Sequence, residues 1–179
     1  KPMPKDESLF TMSATAETPS YDDLTPAQVR ALARTPGQAL RHGMVQAAPF
    51  MLVLIPFGTL FGVVAAETGL KLSQALGFSV LVLAGASQFT AVQLLTDHAP
   101  ALVIIVSAIA VNLRMAMYSA ALVPWLGGAS PRQRGLIAYL LIDQNFALSL
   151  QHYEKNPRLS MTQRIAYFLG ASVSCCVPW

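Results

Sequence analysis

The sequence predicts an all-α fold: a polytopic integral membrane helix bundle with broken or re-entrant helices. Three observations predict it. Of 179 residues, 54% are hydrophobic and only 12% are charged, against roughly 25% charged in a soluble domain. The apolar residues fall in runs long enough to cross a hydrocarbon core about 30 Å thick, which takes roughly 20 helical residues. The charges are also segregated. Residues 1–43 hold five basic and five acidic side chains, so the residues from Met44 onward supply the whole net charge of +3. Basic residues stand singly between apolar runs, with no cluster interleaved with aromatics, and this excludes a nucleic-acid partner.

Residues 1–43 read as a polar, mostly flexible tail, and residues 44–179 as the membrane domain. Residues 1–20 mix Pro, Ser, Thr and charges and offer little for a core. One short helix is expected over residues 26–34, with Thr25 as N-cap, Pro26 at the first helical position and Thr35-Pro36-Gly37 at its end. No cleavable signal is visible, because the first apolar run starts late and is too long.

That first run, residues 43–66, is closed by Glu67. A second, residues 72–96, lies between Lys71 and Asp97. The third, residues 98–131, is interrupted only by Arg114, and the fourth, residues 135–153, only by Asp143. A fifth begins at Ile165 and is cut off at Trp179. Unpaired backbone groups are costly in lipid, so the expectation is a membrane domain truncated at its C-terminal end. If every run crosses the membrane and the N-terminus is cytoplasmic, the inner side collects six Lys and Arg and the outer side three, so the positive-inside bias favours that orientation. One re-entrant segment would change this count.

The runs carry more than anchoring requires. The first contains Pro49 and then Pro56-Phe57-Gly58-Thr59-Leu60-Phe61-Gly62. Gly58 and Gly62 form a G-x-x-x-G pair that permits close helix approach, and Pro56 removes a backbone donor and can kink the helix. Packing or hinge motion would explain them equally. Near the middle of the second run, Gly85-Ala86-Ser87-Gln88-Phe89 weakens the helix and adds an amide. Broken helices at the midplane present backbone groups to substrate in this way, although a plain interhelical hydrogen bond from Gln88 would account for it too. The third run holds Asn112-Leu113-Arg114, and a central Arg costs at least about 2.5–3.5 kcal/mol to insert. Asp143, followed by Gln144 and Asn145, supplies a counter-charge. The two charges either pair structurally or line a pathway, in which Asp143 could also relay protons.

Other chemistries lack their residues. No G-x-x-x-x-G-K-[ST] loop or H-E-x-x-H is present, and His42, His98 and His152 lie far apart in sequence near span ends, so neither a metal nor another cofactor is expected. Cys175 and Cys176 are adjacent and read as reduced packing residues.

Taken in order, Pro56-Phe57-Gly58 through Gly62, Gly85 to Phe89, Asn112-Leu113-Arg114, and Asp143 with Phe146-Ala147-Leu148 closely resemble the AzlC family, the large subunit of bacterial branched-chain amino acid exporters. The match covers residues 41–179. The resemblance implies an inner-membrane exporter of valine, leucine, isoleucine and methionine, and a small membrane partner of the AzlD type. It also implies further helices beyond Trp179. Two positions depart from the family's usual pattern: Gln144 follows the Asp where an acidic residue is common, and Met115 follows the Arg where a His is common.

Transport then has a physical outline. A zwitterion needs donors for its carboxylate, from helix ends at Gly85 to Gln88 or from Arg114, and an acceptor for its ammonium, from Asp143, which could instead carry a coupling proton. Asn112 and Ser87 would belong to the same substrate-binding or translocation path, with Pro56, Gly58 and Gly62 permitting helix movement. Two rivals are a non-transporting scaffold, in which the polar residues only hold helices together, and an intramembrane enzyme, for which Ser87 or Ser119 would need a base that no mid-span His supplies. The expectation is therefore not an enzyme.

Overall fold

The structure is a computed structural model that describes residues 24–81 and 84–177. The expected flexibility of the first 20 residues lies outside them. All described secondary structure is helical, as the composition predicts: α1 (Pro26–Leu32), α2 (Pro36–Glu67), α3 (Leu72–Leu81), α4 (Gly85–Thr96), α5 (Ala101–Leu126), α6 (Pro131–Tyr139), α7 (Asp143–Lys155) and α8 (Met161–Cys176). Thr35-Pro36-Gly37 ends α1 as expected, but it also starts α2, since Thr35 caps the next helix.

Among the described residues, only α2 and α5 are long and apolar enough to cross a membrane alone. At 1.5 Å per residue, their 32 and 26 residues extend about 48 and 39 Å. The second and fourth apolar runs do not form spans. Each is split into two short helices, α3 with α4 and α6 with α7. These have 10, 12, 9 and 13 residues, so each reaches about 14–20 Å, half of a 30 Å core.

In each pair the second helix runs back toward the end from which the first one came. Helix α3 descends along α2 from the Glu67 end, with Phe78 beside Phe61. Helix α4 then climbs back: Phe89 packs on Phe57 and Phe61 at 5.0 and 5.7 Å, and Val92 joins the cluster of Phe61 and Ala65. Helix α5 starts at that end and runs to the other, where Leu126 shares a core with Ala31 of α1. The second hairpin enters from there. Ile137 and Leu141 pack into the same core, and α7 returns alongside α5, with Arg114 against Asp143, Tyr118 stacked on Phe146 and Trp125 beside Tyr153. The amide of Gln28 donates to the carbonyl of Lys155 at 3.0 Å, which ties the end of α7 to α1. The architecture is therefore a span with a hairpin from one side, followed by an oppositely directed span with a hairpin from the other.

Helix α8 rises from the α1 end beside α2. The two cross so closely that a Cβ on Gly43 would lie 2.2 Å from the Tyr167 carbonyl oxygen, and one on Gly170 would lie 2.0 Å from that of Leu40. By contrast, Gly62 is exposed, with nothing within 4 Å of a built Cβ. The tight crossing of α2 with α8 lies not at Gly62 but on the Ala39, Gly43, Ala47 stripe of α2, which is buried.

Helix starts divide into two kinds. Four helices, α1, α2, α6 and α8, open with Thr25, Thr35, Ser130 and Ser160, each in a reciprocal box with a Gln three residues on. These boxes satisfy two of the donors that a helix start leaves open. All four lie at the α1 end. The hairpin tips differ: α4 and α7 start after Ala84 and Ile142, which lend no side-chain cap.

Candidate functional site

The two hairpin tips meet midway along the molecule. Tyr139, the last residue of α6, donates its hydroxyl to the Val80 carbonyl near the end of α3 at 2.6 Å. Beside this contact is a cavity of about 320 Å³. The first residues of α4 and α7 both open onto it, as do Leu54 and Phe57 of α2, Arg114 and Met115 of α5, and Cys175 and Cys176 of α8.

Its polar feature is an ion pair. Arg114 Nη2 lies 3.0 Å from Asp143 Oδ2, and the two side chains are 31% and 39% exposed. Arg114 Nε and Asp143 Oδ1 are buried and have no hydrogen-bond partner among the described residues. The pair therefore uses one contact where two parallel ones are geometrically available to an Arg and a carboxylate.

Around this pair, the helix ends matter. A helix start carries roughly half a positive charge and unsatisfied N–H groups, and such a start is a ready anion site. Here α4 and α7 both begin at the cavity wall: α4 has no capping side chain, whereas the N–H at the α7 start, on Ile142, donates to Asn145 Oδ1. The carboxylate of Asp143 already sits on the α7 start. The α4 start, at Gly85 and Ala86, has no acidic residue in its first turn.

Two buried amides hold the tips in place. Gln88 Nε2 donates to the Phe78 carbonyl at 3.1 Å, which links α4 back to α3. Asn145 Nδ2 donates to the Leu140 carbonyl at 2.6 Å and to Ser172 Oγ at 2.8 Å, while its Oδ1 accepts from Ile142 N at 3.0 Å. In lipid the last carbonyls of α3 and α6 have no water to turn to, and these amides serve them. Asn145 adds a tie to α8.

The structure thus brings Gly85, Arg114 and Asp143 to one cavity. Ser87 and Gln88 are fully buried behind it, with Ser87 Oγ donating to the Ala84 carbonyl at 2.9 Å. Asn112 does not line the cavity, and its Oδ1 is buried without a partner among the described residues. Pro56 and Gly62 lie on the exposed side of α2, and Gly58 is half-buried. Asn145 was within reach of sequence reasoning, since it stands in the same Asp143-Gln144-Asn145 run. Replacing it with Leu should lower the melting temperature by several degrees, because the Leu140 carbonyl and the Ile142 N–H lose their partner, and Asn145→Gln should recover part of that loss. Thermal unfolding of detergent-solubilised protein checks this.

Residues 49–179 match the family profile of the AzlC protein. The chain belongs to the AzlC family. It is also 32% identical over 114 residues to an uncharacterized membrane protein of Archaeoglobus fulgidus, a match covering 64% of this chain and 50% of that relative. The chain therefore spans about half the length of the curated relative it matches. No solved structure matches it. Both departures from the family's usual pattern, Met115 and Gln144, lie in the cavity wall.

Proposed function

We propose that this AzlC protein exports branched-chain amino acids, valine, leucine and isoleucine with methionine, across the bacterial inner membrane. The observation that carries the reading is the Arg114–Asp143 pair facing a cavity onto which the uncapped start of α4 also opens. A zwitterion fits these groups: its carboxylate meets the Gly85–Ala86 N–H groups and Arg114, and its ammonium meets Asp143. The wall of Val53, Leu54, Phe57, Met115 and Ile142 takes a branched apolar side chain. Opposed hairpins meeting at the midplane suit alternating access, each closing the route from its own side. Asp143 can then alternate between substrate and a coupling proton. A small AzlD-type subunit completes the transporter.

The hairpins also support a cytoplasmic N-terminus. Because neither hairpin crosses, eight Lys and Arg (Arg30, Arg34, Arg41, Arg132, Arg134, Lys155, Arg158 and Arg164) fall at the α1 end of the described residues, against Lys71 alone at the other. That is a stronger positive-inside bias than four full crossings would give.

Efflux of labelled leucine from cells expressing the intact protein, with and without its small partner, tests the reading. Release is expected with the partner present. No release in either case would favour a scaffold whose polar residues only hold helices. A second check uses Cys176, which lines the cavity and is partly exposed. In a Cys175→Ala background, maleimide labelling of Cys176 should slow severalfold with saturating leucine and stay unchanged with aspartate.

A further inference from the structure

A second chamber, of about 460 Å³, lies at the α1 end, between α1, the first turns of α2 and the last turn of α7. It faces Arg34, His42, Gln46, His152, Glu154 and Lys155. His42 and His152 are 110 residues apart in sequence yet their ring centroids are 5.3 Å apart, so the expected separation of the histidines does not hold for these two. The pair is held rigidly. His152 stacks on Tyr167, with centroids 3.9 Å apart and planes within 13°, and Tyr167 in turn donates its hydroxyl to Gln46. His42 Nδ1 is buried with no hydrogen-bond partner among the described residues.

The charges around this chamber are mixed, and that decides its ligand. Arg34 and Lys155 suit a carboxylate, to which a neutral His42 can add one N–H bond. Glu154 and the C-terminal end of α7 suit a cation, because a helix end carries about half a negative charge. A lipid phosphate or free phosphate would be drawn to the first set and repelled by the second, whereas a zwitterion satisfies both. The chamber repeats the chemistry of the central cavity, where Arg114 and the α4 start face Asp143. It is also in line with it, since α2 and α7 contribute to both and nine residues of α7 from Asp143 to His152 rise about 14 Å.

We infer that this chamber is a second amino-acid site, which holds the substrate's carboxylate on Arg34 and His42 before transfer to the Arg114–Asp143 cavity. The inference rests on the exporter reading, and equilibrium binding separates the two. Labelled leucine is titrated onto the intact protein in nanodiscs, alongside Asp143→Asn and the double variant Arg34→Gln, His42→Gln, each matched to wild type in melting temperature. Two leucines per chain are expected for wild type and one for each variant, with a severalfold rise in export KM for the double variant. A single wild-type site that Asp143→Asn removes and the double variant keeps would overturn the second site and leave the exporter reading standing. No leucine bound at all would overturn both. Loss of a co-purified anionic lipid from the double variant, with leucine stoichiometry unchanged, would reassign the chamber to a phosphate headgroup and overturn the inference.

Discussion

Reversing the ion pair, with Arg114→Asp and Asp143→Arg in one chain, is expected to restore membrane insertion while leaving leucine export at least tenfold below wild type. Each single change should do worse in its own way. Asp143→Asn strands Arg114 near the middle of α5, as the fourteenth of its 26 residues, and a guanidinium cannot shed its proton. Arg114→Ala strands Asp143, which can take one up. Inserted protein should therefore fall further in Asp143→Asn than in Arg114→Ala, given that a central charge costs at least about 2.5–3.5 kcal/mol. The reversal re-pairs the charges and removes that cost. It also sets an Arg on the start of α7, which opposes the helix dipole by about 0.3–1 kcal/mol, a smaller penalty that should leave insertion largely intact. Substrate recognition, however, does not survive. The acidic group now projects from α5 and the basic one from the α7 start, while the α4 start is unchanged. The carboxylate donors are split across the cavity and the ammonium meets no acceptor in its place. A tenfold loss corresponds to about 1.4 kcal/mol in the transport barrier, well within what two misplaced charges supply. Quantitative blots of the membrane fraction, paired with efflux per inserted molecule, check both halves. Recovery of export along with insertion would show that the pair is only a brace, which is the scaffold reading.

Much of this site was legible in the sequence because its parts break local rules. Arg114 and Asp143 are charges inside apolar runs, and Gly85 to Gln88 interrupts one. Physics penalises such residues in lipid, so their presence is informative wherever they stand. The membrane class was legible for the same reason. The hairpins were less so. Run length alone makes residues 72–96 and 135–153 look like spans, and hydropathy does not distinguish one crossing helix from two half-helices folded back. A signal was nonetheless available in the caps. The Thr25, Thr35, Ser130 and Ser160 boxes all mark starts in a polar setting, and Ser130 places the entry of the second hairpin at the same end as α1 and α8. The approach of His42 to His152 had no local signal at all, since it depends on α7 turning back, which only the tertiary structure reveals. The small-residue stripe was readable and was overshadowed: Ala39, Gly43 and Ala47 recur at the same four-residue spacing as Gly58 and Gly62.

That stripe carries the largest expected effect on stability. Gly43→Leu or Gly170→Leu should abolish accumulation of folded protein, and alanine at either position should already lower the melting temperature by several degrees. The obstacle at both positions is backbone: the carbonyl oxygens of Tyr167 and Leu40, 2.2 and 2.0 Å from the built Cβ. A side chain could rotate aside, but a carbonyl within a helix moves only with its helix. Overpacking typically costs 1–3 kcal/mol when neighbours can adjust, so the cost here should be at or above the top of that range. Lipid offers no hydrophobic reward for separating and repacking the helices, because association in membranes rests on close packing itself. Separation would also break the ties that fix the chamber at the α1 end, including the bonds from Gln163 to the carbonyls of Leu32 and Arg34 at 3.0 and 2.6 Å and from Ser174 to that of Met44 at 3.1 Å. It would carry Cys175 and Cys176 away from Leu54, and so open the wall of the central cavity. Gly62→Leu provides the contrast. It adds bulk where a Cβ meets nothing and replaces a poor helix former with a good one, so the chain should fold at least as well as wild type. Thermal unfolding of detergent-solubilised protein, followed by size-exclusion chromatography, separates these cases. Wild-type melting by Gly43→Leu would mean that α2 and α8 do not cross on this stripe.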